Sequence, residues 1–328
     1  MKVLITGGTG FIGRHLVRRM AQTNHELRCL ARQTSDITLL KELNTEIFYG
    51  DVTNKPSIVK AMQGCDWLID LANVYDFWIP DQSLFTKVNI TGTQNLMEVA
   101  LETGVSKVVH LSTALIFGKP TDSPFTEDSA PGPEQFSEYA QTKRVGEQIV
   151  WKLHEEKGLP LVLIYPVGVM GAGDTKAPVR LVENLVRRRM PATVFNESTV
   201  VLVHVKDVVE AIVQAAEKDG NDGERYLVGK EQITIREYYK TVCEFANVPL
   251  PLLALPGWMT MLSAHLLTAL SNITKRPPWL GMSVDQMRTF KEGYVCDGSK
   301  AERDLGITYT PIRDAIAEEV EAVRQSLN

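Results

Sequence analysis

The sequence predicts an α/β protein built on a doubly wound parallel sheet with a smaller C-terminal lobe. Three observations predict it. Short β-branched runs alternate with helix-period segments over the first half, a glycine-rich turn joins the first strand to the first helix, and the alternation stops after Pro166. The expected strands are Lys2 to Thr6, Glu26 to Leu30, Glu46 to Tyr49, Trp67 to Leu71, Lys107 to Leu111 and Leu161 to Tyr165. Apolar residues recur at three and four positions in Phe11 to Ala21, Lys55 to Met62, Leu84 to Glu102 and Ser137 to Glu156, so helices are expected there. Residues 1–166 are assigned to the sheet domain, and 167–199 with 218–328 to the smaller lobe. The strand-helix pair at 200–217 is expected to return to the main sheet.

Composition excludes several function classes. The chain has 328 residues, 44% hydrophobic and 23% charged, ordinary values for a globular protein. Lys and Arg number 35 against 40 Asp and Glu, a net charge of -5, so no positive field exists to hold a nucleic-acid backbone, and no nucleic-acid partner is expected. Cys29, Cys65, Cys243 and Cys296 form no CxxC pair, which argues against a zinc knuckle or a disulfide framework and fits a reducing cytoplasm. His110, His204 and His265 have no partners at ligand spacing, so no metal site is expected. The apolar run Val3 to Ile5 is too short for a signal peptide. Trp258 to Ile273 is the most apolar region, but it falls short of the roughly 20 residues of a membrane span. It is expected to be a helix packed on the domain or a partner in preference to one lying on a membrane surface.

The turn after the first strand reads Thr6-Gly7-Gly8-Thr9-Gly10-Phe11-Ile12-Gly13. Glycines are needed there because the chain must turn sharply, a pyrophosphate must reach bare amides, and the helix N-terminus then offers free N–H groups. Residues 1–166 are thus expected to bind a dinucleotide through Gly7, Gly10, Phe11, Ile12 and Gly13. The end of the second strand reports which dinucleotide, since a carboxylate there would bind a ribose 2′-hydroxyl and a cation a 2′-phosphate. Arg32 occupies that stretch, with no carboxylate until Asp36, which favours NADP over NAD. Asp51 and Val52 are placed near the adenine, and Leu71, Ala72 and Asn73 along the nicotinamide path.

Tyr139 and Lys143 lie four apart on a predicted helix and so share a face. A phenol holds its proton to about pH 10 and needs a neighbouring ammonium to serve as acid or base near neutrality. Ser112 and Thr113, ending the fifth strand, supply hydroxyls to polarise a substrate oxygen.

The glycine turn, Asp51-Val52, Ser112-Thr113 followed by Phe117-Gly118, and the Tyr139/Lys143 pair together resemble the extended short-chain dehydrogenase/reductase family, across nearly the whole chain. Tyr75 to Asp81 and Arg187 to Ala192 look most like its dihydroflavonol-reductase and hopanoid-associated epimerase branch. The resemblance implies a Rossmann domain, with Tyr139 as acid/base, Lys143 as its activator, Thr113 and Ser112 on the carbonyl, and Pro166 and Val169 at the cofactor. It also implies a homodimer formed through Leu84 to Glu102 and Ser137 to Glu156. Two departures stand out. Tyr165-Pro166 replaces the family's Arg-Pro, and Ala114-Leu115 replaces the Asp-Glu pair with which dehydratases eliminate water. The expected activity is NADP(H)-dependent reduction of an aldehyde or ketone on a small apolar molecule, with Tyr75, Trp78 and Arg180 at the substrate. The alternatives are an NAD-dependent sugar-nucleotide epimerase, which would recruit arginines for a diphosphate, and a non-catalytic NADP-binding sensor.

Overall fold

The computed structural model describes residues 1–174 and 176–327. The chain opens with β1 (Lys2–Thr6), α1 (Phe11–Met20), β2 (Glu26–Ala31), α2 (Thr38–Glu42), β3 (Glu46–Tyr49), α3 (Lys55–Met62) and β4 (Trp67–Asp70). A π-helical segment, Phe85–Gly92, runs into α4 (Thr93–Thr103) and is followed by β5 (Lys107–Leu111), α5 (Glu138–Lys157) and β6 (Leu161–Pro166). Next come β7 (Gly168–Met170), α6 (Ala177–Val186), β8 (Ala192–Val194), β9 (Thr199–His204), α7 (Val205–Glu217) and β10 (Arg225–Val228). The remainder comprises β11 (Gln232–Thr234), α8 (Ile235–Ala246), β12 (Leu253–Leu255), α9 (Gly257–Thr274), α10 (Val284–Glu292), α11 (Ser299–Leu305) and α12 (Ile312–Leu327).

Seven parallel strands form the main sheet in the order β10-β6-β5-β4-β1-β2-β3. Its inner strands are continuous apolar runs such as Val3 to Ile5 and Leu161 to Ile164, fully buried because helices cover both faces. The chain winds outward in both directions from β1, so the crevice where the winding reverses opens at the strand ends between β1 and β4. The six expected strands and four expected helices are present, with ends shifted by a residue or so. The helix expected over Leu84 to Glu102 starts as the π-helical stretch and becomes α only at Thr93.

One expected strand goes elsewhere. β9 does not join the main sheet but pairs with β7 and β11 in a separate three-stranded sheet, because β7 leaves β6 immediately after Pro166 and offers it a parallel edge. Only the helix of that pair, α7, packs back on β5, β6 and α1. The seventh place is taken by β10, in register from Arg225 opposite Leu163 to Val228 opposite Pro166. The smaller lobe has its own core, where α6, α8 and α12 bury Val182, Leu185, Tyr239, Val242, Ile316 and Val320.

Candidate active site

A cavity of about 500 Å³ runs across the C-terminal ends of the main strands and continues into the smaller lobe. At one end is the glycine turn. Gly7 has φ +68°, and a side chain there would sit 2.7 Å from the Leu71 carbonyl carbon; one at Gly13 would sit 2.1 Å from the Gly7 oxygen. The cap residue Gly10 provides no side chain to satisfy the first amides of α1, which therefore remain open to an anion. Gly7, Gly10, Phe11, Ile12, Gly13, Arg32, Asp51, Val52, Leu71, Ala72, Asn73, Pro166 and Val169 all line this cavity, so the residues predicted for a dinucleotide are brought together along one wall. Asp36, the nearest carboxylate to Arg32 in its loop, is taken up by Arg14 at 2.7 Å and by Thr38.

Midway along lie Ser112, Thr113 and Tyr139. The Tyr139 phenol is buried; burial raises its pKa, with Thr113 opposing that shift, so the phenol holds its proton. Tyr75 meets the Tyr139 ring edge-on with centroids 4.9 Å apart. Ser112 also reaches the wall, but its hydroxyl is donated to Glu147 at 2.5 Å, and Tyr165 donates to the other oxygen of the same carboxylate at 2.9 Å. Tyr165, the departure from the family's arginine, is thus a support for α5.

Lys143 is not in the wall but beneath it, 2% exposed. Its Nζ donates to the Leu111 carbonyl at 2.8 Å and lies 3.4 Å from His110 Nε2. His110 Nδ1 is 2.8 Å from Asp70, and Thr6 donates to the other Asp70 oxygen at 2.5 Å. The sheet register produces this line, because Thr6 is opposite Asp70 and Asp70 opposite His110 on three adjacent strands. Burial lowers the Lys143 pKa to about 8, opposed by Asp70 and Glu147. Burial, then the Lys143 charge, also lowers the His110 pKa. The ring is therefore neutral at pH 7, donating to Asp70 and presenting its free nitrogen to Lys143. Asp70 resists burial through its bonds to His110 and Thr6 and keeps a pKa below the usual carboxylate range.

Two predicted substrate residues are elsewhere. Trp78 is buried and donates its indole N–H to Asn272 of α9 at 2.9 Å, so it ties the rim loop to that helix and forms no part of the wall. Arg180 is exposed on α6 and does not line the cavity. Asp70, His110 and Glu147 were not legible as site residues because their partners are distant in sequence. Asn89 is a further addition: its carboxamide accepts from Val74 N at 2.8 Å and donates to Val74 O and Thr142, stapling the Tyr75 loop to the helix that bears Tyr139. A wider groove of about 810 Å³, between Lys119 and Lys291, holds none of the predicted residues.

The sequence model of the NAD dependent epimerase/dehydratase family matches residues 3–229, which include the glycine turn, Thr113, Tyr139 and Lys143. The chain belongs to that family. It is an NAD(P)-dependent enzyme of the extended short-chain dehydrogenase/reductase type. A sterol demethylase protein B of Methylococcus capsulatus is 31% identical, covering 99% of each chain. A 3-beta-hydroxysteroid dehydrogenase of Mycolicibacterium neoaurum is 26% identical over 78% of this chain and 73% of its own. The crystal structure of gox2253 is 30% identical and superimposes with a TM-score of 0.84, covering 99% of this chain and 98% of that one.

Proposed function

We propose that this enzyme interconverts a carbonyl and an alcohol on an apolar, ring-bearing substrate, with NADP(H) as cofactor and reduction as the forward direction. The observation that bears most weight is the placing of Tyr139 and Thr113 together in the wall of a cavity whose outer part is mostly apolar, with Tyr75, Phe77, Ile79, Leu181 and Phe290 beside Asp174 and Lys176. The glycine turn and the open end of α1 would hold the pyrophosphate, Arg32 the 2′-phosphate, and Lys143 the ribose. When bound, the nicotinamide supplies the hydride. Thr113 donates a hydrogen bond to the substrate oxygen, and Tyr139 gives that oxygen its proton. The Lys143 ammonium then stabilises the phenolate, and His110 and Asp70 hold that ammonium in place. The two steroid-related names among the relatives support a polycyclic substrate. Cytoplasmic location and a homodimer through α4 and α5 belong to the same reading.

An epimerase would need cations in the outer cavity for a diphosphate. Among the described residues the lining cations are Arg32, at the nucleotide end, and Lys176, which lies 3.5 Å from Asp76. Arg187 lies outside the cavity, paired with Glu183 at 3.0 Å. The reductase reading is favoured on that ground.

The test is mass analysis of nucleotide released from purified enzyme, followed by NADPH oxidation against keto-sterols and simpler ketones. Tyr139→Phe should retain NADPH binding and lose about 10²–10⁴-fold in turnover. Near-parental turnover would remove Tyr139 from the chemistry, and retained NAD with no net redox would replace the reductase with an epimerase.

A further inference from the structure

α9 is amphipathic in the wrong sense for a helix belonging wholly to the protein. Its buried residues are small or polar, Thr260, Ala264 and Ser271, and two other polar side chains tie it down: Thr268 accepts from Val284 N at 3.0 Å and Asn272 from Trp78. Met261 packs inward, but five other long apolar side chains point outward at helical spacing: Trp258 70% exposed, Leu262 54%, Leu266 65%, Leu270 56% and Ile273 80%. The flanking chain continues the pattern, with Leu252 at 99%, Leu253 at 66% and Trp279 at 60%. Single exposed apolar residues need no explanation, but a row of this length does. The expectation that this segment packs on the domain is met by its opposite side, through Met261, Ala264 and the polar side chains.

We propose that this face of α9 is a docking surface for a lipid bilayer containing anionic headgroups. Charge distinguishes this occupant from a second copy of the chain. From Phe245 to Val284 the sequence has no Asp or Glu, and its full charges are Lys275 and Arg276, in a protein whose net charge is -5. That local positive balance is complementary to anionic lipid, whereas the same segment of a second copy offers no carboxylate to answer these cations. Tryptophans at the first turn and just past the last one, with cations at one end, match the placement of side chains at a headgroup boundary. No described helix is long and apolar enough to cross a membrane, so the contact is a surface one. α9 also adjoins the mouth of the cavity, packing on α10, which supplies Thr289 and Phe290 to the lining. The inference stands apart from the reductase reading, because it concerns adsorption and uses none of the residues of the site.

The experiment is co-sedimentation of the full chain with vesicles of phosphatidylcholine alone and of phosphatidylcholine with phosphatidylglycerol, read together with Trp fluorescence. Binding to the anionic vesicles with a blue-shifted emission is expected. Leu266→Glu with Leu270→Glu should lower partitioning by about tenfold or more while nucleotide binding and melting temperature stay parental. Lys275→Glu with Arg276→Glu should abolish the preference for anionic vesicles. Two results overturn the proposal: protein left in the supernatant with every vesicle, or self-association in solution that Leu266→Glu dissolves without any vesicle binding by the parent.

Discussion

Two buried carboxyl groups sit in the two halves of this enzyme and are treated in opposite ways. Asp70, at the end of β4, is 1% exposed and receives bonds from Thr6 and His110, so its pKa lies below the usual range. Glu319, on α12, is 0% exposed, and neither of its oxygens has a hydrogen-bond partner among the described residues. Burial and then the charge of Asp174 push its pKa well above the usual value. The difference follows from geometry. Parallel strands in register deliver side chains from neighbouring strands to one line, whereas three helices packed by their apolar faces offer a carboxyl nothing to bond. In the sheet half, ionised groups are lined up by strand register; in the helical half, a carboxyl is kept neutral.

The same chemical change, carboxyl to amide, should therefore have opposite signs at the two sites. Asp70→Asn leaves His110 and Lys143 without their anion, and breaking a buried charged set costs about 3–5 kcal/mol. Because the folded pKa is depressed, this stabilisation is present above the unfolded value of 3.8 and is lost as pH falls through the folded one, so melting curves of parent and variant should converge only in acid. Activity should fall as pH rises through about 8, where Lys143 loses its proton, and in Asp70→Asn that limb should move to lower pH because one source of support is gone. An unmoved limb would separate the buried line from the lysine.

Glu319→Gln should do the reverse. The folded pKa is raised, so the carboxyl's contribution is complete below the unfolded value of 4.5 and is lost as pH rises through the folded one. The amide variant should gain on the parent as pH rises above 5, by about 1.4 kcal/mol for each pH unit up to the folded pKa, and lose that advantage toward pH 5. A variant that melts lower at every pH would mean that Glu319 has an ionic partner. Arg32→Ala, on the exposed lip, should leave the melting temperature unchanged. It should weaken NADPH by about tenfold and NADH hardly at all, and equal weakening of both would end the NADP reading.

The sheet was legible because parallel strands buried on both faces must be short apolar runs, and the glycine turn because its conformation admits no side chain. β10 was missed because Arg225-Tyr226-Leu227-Val228 is too short to stand out and follows the crossover helix where β9 was expected to pair. Tyr139, Thr113 and Lys143 could be read from local spacing, but Asp70 lies 40 positions from His110 and is joined to it only by register. The rings near Tyr75 could be read as apolar, yet nothing in their order tells wall from strut: Tyr75 faces the cavity while Trp78 faces α9.

The π-helical turn at Phe85–Gly92 bears on how such an enzyme could diversify. A segment wound one residue looser than its neighbours can gain or lose a residue without breaking the rod, and each such change swings the side chains before it by roughly 100°. Asn89 sits within that segment, holding the loop beside the phenol. A single-codon deletion there would re-aim the loop while every residue of the sheet stayed the same, so the shape of the molecule admitted can drift through chain length and leave the proton-handling groups untouched.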